Sequence, residues 1–232
     1  MDVSGHGRSE EWENPLDIKT KTAAEDIIEA AETINRVMGT EQIDLFGWSW
    51  GAMTTSMAAG MRPGLIRKLV LCSPVTGGTF PSMPEEMFQD KYGEVSYAGL
   101  SRLFPIKGVT GGIEPGEDFE FDESRVELGM VDKAVHDFMR YVFSKGRPNG
   151  PSTEVMCNTD EWKINVDPIK APTFLCWGDD DIYPSEERIK IMLSKLPDGS
   201  EGQFIKGGTH AIPFEKTVNV ILHNVIIEFL NK

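Results

Sequence analysis

The chain has 232 residues, 40% of them hydrophobic and 26% charged, with a formal net charge of −14. That balance suits a globular domain long enough to bury a core, and the acidic surface excludes nucleic acid and anionic membrane as partners. No stretch approaches the length of a membrane span, no charged-then-apolar signal segment opens the chain, and no internal repeat is visible.

A Gly-rich opening carries His6. The pattern then predicts a helix over 22–38, with Ala23, Ile27, Ala30, Ala31 and Ile34 apolar and a stop at Gly39. Gln42-Ile43-Asp44-Leu45-Phe46 has strand character, and the run from Ala52 to Ala59 has helix character. Between them stands Gly47-Trp48-Ser49-Trp50-Gly51, a G-x-S-x-G motif. A strand, a sharp turn with serine at its apex and then a helix is the setting of a nucleophile elbow. The glycines are expected because side chains two residues before and after the serine would collide with neighbouring elements. The serine hydroxyl would stand at the positive end of the helix.

The helix after the elbow is expected to reach Met61 and end at Pro63-Gly64, followed by a buried strand over 66–75 that contains Leu69-Val70-Leu71-Cys72. From 76 to about 166 strand signals fade, and Gly, Pro, Met and aromatic residues become frequent. The densest acidic cluster, at 114–127, lies there and reads as a solvated face. Pro168-Ile169-Lys170-Ala171-Pro172 leads back to a strand ending at Trp177, then a helix over 185–196, the short apolar run Gln203-Phe204-Ile205 and an amphipathic helix over 217–230. Strands alternating with helices imply an α/β fold with a mostly parallel sheet flanked by helices.

A serine nucleophile needs a base, and the base an orienting acid. Of the four histidines, His223 falls inside the terminal helix and His136 off the apolar stripe of a helical run. His210, in Gly207-Gly208-Thr209-His210-Ala211-Ile212-Pro213, sits in a strand-to-helix loop. The acid has three adjacent candidates, Asp179, Asp180 and Asp181, just after a strand. One would turn toward His210 while two face water.

At these residues the chain resembles the α/β-hydrolase family. The order Ser49, Asp181, His210 is that family's order of nucleophile, acid and base. The spacing Gly178 to Asp181, then Pro184, matches the family's acid loop and selects Asp181 over Asp180. Gly208-Thr209-His210 with the apolar and acidic residues after it is similar to the family's histidine loop. Asp2-Val3-Ser4-Gly5-His6-Gly7-Arg8-Ser9 resembles the loop after the family's fourth strand. The resemblance therefore implies a core over 1–75 and 168–232 and a cap insertion over 76–167. It also begins late. The strand that would lie beside Ile43–Phe46 and the loop that would supply a second oxyanion donor are not represented. The expectation is an incomplete hydrolase, from a late start codon or a fragment, with an apolar edge strand. The Trp50 N–H is the one donor assigned, and a missing donor typically costs about 3 kcal/mol of transition-state stabilisation.

The activity implied is acyl transfer to water: Ser49 attacks, His210 carries the proton, Asp181 orients the histidine and the Trp50 N–H holds the oxyanion. A serine in the nucleophile position sets the chain apart from the family's haloalkane dehalogenases. A carboxylic ester or lactone of a small molecule is the default substrate, with a carbon–carbon bond or a proline-iminopeptidase-like amide as alternatives. A small-molecule receptor or an inactive truncated hydrolase is the alternative of another class. Trp48 and Trp50 are candidate pocket residues, or core packing. Met83, Met87, Phe88, Tyr92 and Phe104 are candidates for the cap side of the pocket, or for the cap's own core. No cofactor or metal is implied. Cys72, Cys157 and Cys176 are an odd set without metal-ligand spacing. Cys72 and Cys176 read as small core residues, which favours a reducing, cytoplasmic location. The oligomeric state is left open.

Overall fold

A computed structural model of the chain describes residues 2–6, 9, 12–79, 81–88, 92–93, 147–215 and 218–232. Most of the expected cap, including Phe104, His136 and the acidic cluster at 114–127, lies outside the described residues. In chain order the structure has helix α1 (Thr20–Met38), strand β1 (Ile43–Trp48), helix α2 (Trp50–Met61), strand β2 (Ile66–Cys72) and the two-residue strands β3 (Tyr92–Gly93) and β4 (Arg147–Pro148). Helix α3 (Gly150–Met156), strand β5 (Thr173–Gly178), helix α4 (Glu186–Lys195), strand β6 (Glu201–Ile205) and helix α5 (Asn219–Asn231) complete it. The main sheet has the order β1-β2-β5-β6, and all its pairings are parallel. β3 and β4 form a separate antiparallel pair.

The two central strands carry the apolar runs Leu69–Cys72 and Phe174–Cys176, buried because both of their faces are covered there. Leu69, Leu71 and Leu175 pack with Ala31 of α1, Ala52, Met53 and Ala59 of α2, and Ile189 and Met192 of α4. The alternate residues Val70, Cys72, Phe174 and Cys176 pack with Leu222 and Phe229 of α5. Cys72 and Cys176, both fully buried, are register partners across β2 and β5. Burial pushes the Cys72 thiol well above its ordinary range, as suits a small apolar packing residue.

The start of α1 and the burial of its last turn depart from the sequence reading. α1 begins at Thr20 rather than 22, because Glu154 of α3 accepts both the N–H and the hydroxyl of Thr20. That is a start signal 134 residues away in the chain, which local sequence cannot carry. α1 does end at Gly39, whose φ of 68° is the left-handed closing conformation that glycine adopts freely. Ile34, counted on the apolar stripe, is 47% exposed, and its neighbours Val37 and Met38 are more exposed still. The last turn of α1 leaves the sheet it covers.

Candidate active site

β1 ends at Trp48 and α2 begins at Trp50, so Ser49 alone turns the chain. It does so at φ 58°, ψ −123°. A residue with a side chain held in such a conformation stores strain on the order of 1–3 kcal/mol. The surroundings impose it: the Ser49 N–H donates to the Cys72 carbonyl at 3.1 Å, and the Ser49 carbonyl accepts from the Ala52 N–H at 2.9 Å. A Cβ at Gly47 would run into the Thr55 hydroxyl and the Gly51 carbonyl. A Cβ at Gly51 would meet nothing within 4 Å among the described residues. The collision expected on both sides of the serine therefore exists at Gly47 and not at Gly51, because nothing described stands over that side of the first turn of α2.

The loops after β5 and β6 bring the other partners. His210 is 2% exposed, and its Nε2 lies 2.7 Å from the Ser49 hydroxyl oxygen. Its Nδ1 lies 3.0 and 3.1 Å from the two carboxylate oxygens of Asp181. A carboxylate accepts, so Nδ1 carries the proton, which leaves Nε2 free to accept from the serine O–H. The Asp181 side chain has no exposure, and the same Oδ1 also accepts the Tyr183 N–H at 3.0 Å. Asp179 and Asp180 are exposed. Asp179 accepts the Gly207 N–H at 2.6 Å, and the Asp180 N–H donates to the Gly208 carbonyl at 3.0 Å. The acid loop and the histidine loop are thus strapped to each other. Gly178 permits this, since a Cβ there would strike the Gly208 carbonyl.

The Trp50 N–H lies at the first helical position of α2, where no preceding turn supplies an acceptor, next to the Ser49 hydroxyl and at the positive end of the helix. Both tryptophans of the motif are half-buried and both have partners. Trp48 Nε1 donates to the His210 carbonyl at 2.6 Å, and its ring meets Phe214 edge-on at 5.0 Å. Trp50 Nε1 donates to the Thr20 hydroxyl at 3.0 Å, and its ring stacks on His6 at 5.6 Å. A cavity of about 380 Å³ lies beyond that Thr20 bond, lined in part by Lys19, Met53, Met57, Glu154, Trp162 and Lys163. Ser49, Asp181 and His210 are not among its lining residues. His223 is exposed on α5.

Sequence reasoning gave no role to two neighbours of His210, Tyr183 and the acidic residue of the histidine loop, Glu215. The Tyr183 ring packs 4.4 Å from the imidazole, and Glu215 holds Thr209, the residue before it. The sequence shows both residues in the right loops, but only the folded loops bring them to the histidine. The arrangement as a whole can move a proton from the Ser49 hydroxyl to His210 and stabilise the imidazolium with a buried carboxylate.

A family model described as the alpha/beta hydrolase fold matches residues 1–217. No curated relative matches the chain. Similar solved structures include a mutant of an epoxide hydrolase from Bacillus megaterium, with a TM-score of 0.70 and 19% identity over 100% of this chain and 82% of that one. A monoacylglycerol lipase from Paleococcus ferrophilus has a TM-score of 0.60 and 22% identity over 99% of this chain and 80% of the lipase. A malate-bound thermophilic esterase from Thermogutta terrifontis has a TM-score of 0.60 and 20% identity over 99% and 78%. At these identities the likeness is one of fold. With a parallel sheet flanked by helices and a family match that runs through the elbow and both following loops, the chain belongs to the alpha/beta hydrolase fold family.

Proposed function

We propose that the chain is a serine hydrolase that cleaves a carboxylic ester or a related acyl bond of a small molecule. The observation that carries this reading is the hydrogen-bond path in which His210 spans Ser49 at 2.7 Å and Asp181 at 3.0 Å. Esterases and a lipase among the solved structures of this fold agree with it.

In this reading the Ser49 oxygen bonds to the acyl carbon while its proton passes to His210 Nε2. The Trp50 N–H faces the oxyanion. Collapse of the tetrahedral species breaks the bond to the leaving group, which takes the proton from Nε2. Water then repeats the sequence on the acyl-enzyme and frees Ser49. Asp181 keeps the proton on Nδ1 and stabilises the imidazolium. The cap insertion of this reading spans 76–167, and Trp48 and Trp50 border the acyl pocket.

The test is labelling with a fluorophosphonate and turnover of short p-nitrophenyl esters, on the wild-type chain and on Ser49→Ala, with circular dichroism to establish that both fold. Removal of such a nucleophile lowers kcat by roughly 10⁵-fold or more. We expect labelling of the wild type that vanishes in the variant, with that loss of rate. A folded wild type that takes no label and binds ligand without turnover would overturn the reading in favour of a receptor. Faster hydrolysis of a proline arylamide than of any ester would move the substrate class to peptides.

A further inference from the structure

Glu215 follows His210 by five positions, is 1% exposed, and has no cation as an ion-pair partner among the described residues. A buried carboxylate without a cation is a costly thing to keep for packing alone. Its oxygens accept the Thr209 N–H at 3.1 and 3.3 Å and also the Thr209 hydroxyl proton. That hydroxyl in turn accepts the Ala211 N–H at 3.1 Å. One carboxylate therefore fixes the residues on both sides of His210. From the opposite side Trp48 Nε1 holds the His210 carbonyl. With its backbone held at three points, the imidazole has only its own side-chain torsions left, and Asp181 and Ser49 set those.

We propose that Glu215 is a positioning residue for His210: its ionised carboxylate, acting through Thr209, holds the imidazole in register with Ser49 and Asp181. The effect on rate rests on the serine-hydrolase reading; the effect on the ring does not. Burial pushes the Glu215 carboxyl up from its ordinary range, the Thr209 bonds pull it back, and the charges of Asp181 and Asp180 oppose its ionisation further. An ionised carboxylate only accepts. A protonated one turns a donor toward either the Thr209 N–H or its hydroxyl, and the clamp loosens. Protonation of Glu215 on lowering the pH thus acts on the group that places His210.

Three variants test this: Glu215→Gln, which keeps the shape and brings a donor into the clamp, Thr209→Val, which removes the hydroxyl, and Thr209→Ser, which keeps it. Misplacement of a catalytic group by a fraction of an ångström to 1 Å lowers rates by about 10- to 100-fold. We expect Glu215→Gln and Thr209→Val to lose kcat in that range at unchanged KM, and Thr209→Ser to recover the rate lost in Thr209→Val. The acid limb of kcat/KM should change form in Glu215→Gln, which removes the ionisation of the Glu215 carboxyl. The low-field proton resonance of the His210 Nδ1–H, read by NMR without any substrate, should shift or broaden in Glu215→Gln. If that resonance stays in place the proposal fails, whatever the chain's activity. It also fails if kcat and the acid limb keep their wild-type form in both Glu215→Gln and Thr209→Val, or if Glu215→Gln does not fold and Thr209→Val keeps the wild-type rate. Failure of the hydrolase reading is a separate result, seen as wild-type turnover by Ser49→Ala.

Discussion

Asp181 spends one of its oxygens on two donors, the His210 ring and the Tyr183 backbone N–H, and its side chain is sealed from water. The second bond fixes the carboxylate so that it faces Nδ1 with lone pairs only, and a single tautomer of His210 satisfies it. Asp181→Asn keeps the shape and the buried volume. It also presents an N–H₂ group that can turn toward the ring, stabilise the other tautomer and place a proton on the nitrogen that should accept from Ser49. In enzymes that use this arrangement the change costs about 10⁴-fold in kcat, and we expect a loss of that order here, with KM little altered. Steady-state kinetics on a p-nitrophenyl ester, with circular dichroism to show an unchanged fold, would check it. A loss of less than about tenfold would mean that Asp181 is not the orienting acid.

The strand, turn and helix around Ser49 separate two glycines that look equivalent in the sequence. Gly47 lies against Thr55 and the Gly51 carbonyl, so an added Cβ forces β1 and α2 apart. Gly51 lies in the first turn of α2 with open space beside it among the described residues, and alanine is favoured over glycine in a helix by up to about 1 kcal/mol. We expect Gly47→Ala to melt well below the wild type or to remain unfolded, and Gly51→Ala to melt at or slightly above it. Thermal denaturation of the two variants decides this, and equal melting temperatures would sink the steric account. The contrast also marks how far sequence reading reaches. The parallel sheet was legible because β2 and β5 carry the apolar runs Leu69–Cys72 and Phe174–Cys176, and the Ser49, His210 and Asp181 positions because each sits at the end of a strand signal. What was not legible depends on contacts between distant segments: the start of α1 at Thr20, set by Glu154, the open side of Gly51, and the hold of Glu215 on Thr209. Periodicity shows which face of a helix is apolar, but not where the sheet beneath it stops, and so Ile34 was misread.

The sheet as a whole carries an asymmetry that charge partly offsets. β5 lies between two strands, whereas β1 pairs with β2 on one side and with no other strand among the described residues. α5 packs over Val70, Phe174 and Cys176 but leaves Phe46 of β1 46% exposed. An apolar residue on a strand with unpaired backbone groups invites edge-to-edge association. The net charge of −14 opposes it by long-range repulsion between molecules, and that repulsion reaches only about 8 Å at 0.15 M ionic strength. Repulsion should therefore govern at low salt and the edge at physiological salt. We expect the wild-type chain to aggregate faster as salt is raised from about 0.01 to 0.15 M, and Phe46→Lys to suppress most of that rise by placing a strongly hydrated charge on the edge strand. Static light scattering over that salt range, at one protein concentration and temperature, measures both effects. Phe46→Lys makes the net charge less negative by one unit, so general electrostatics alone would make the variant more prone to associate. Suppression thus identifies the β1 edge as the contact, and an equal or faster rise in the variant would place the contact elsewhere on the molecule.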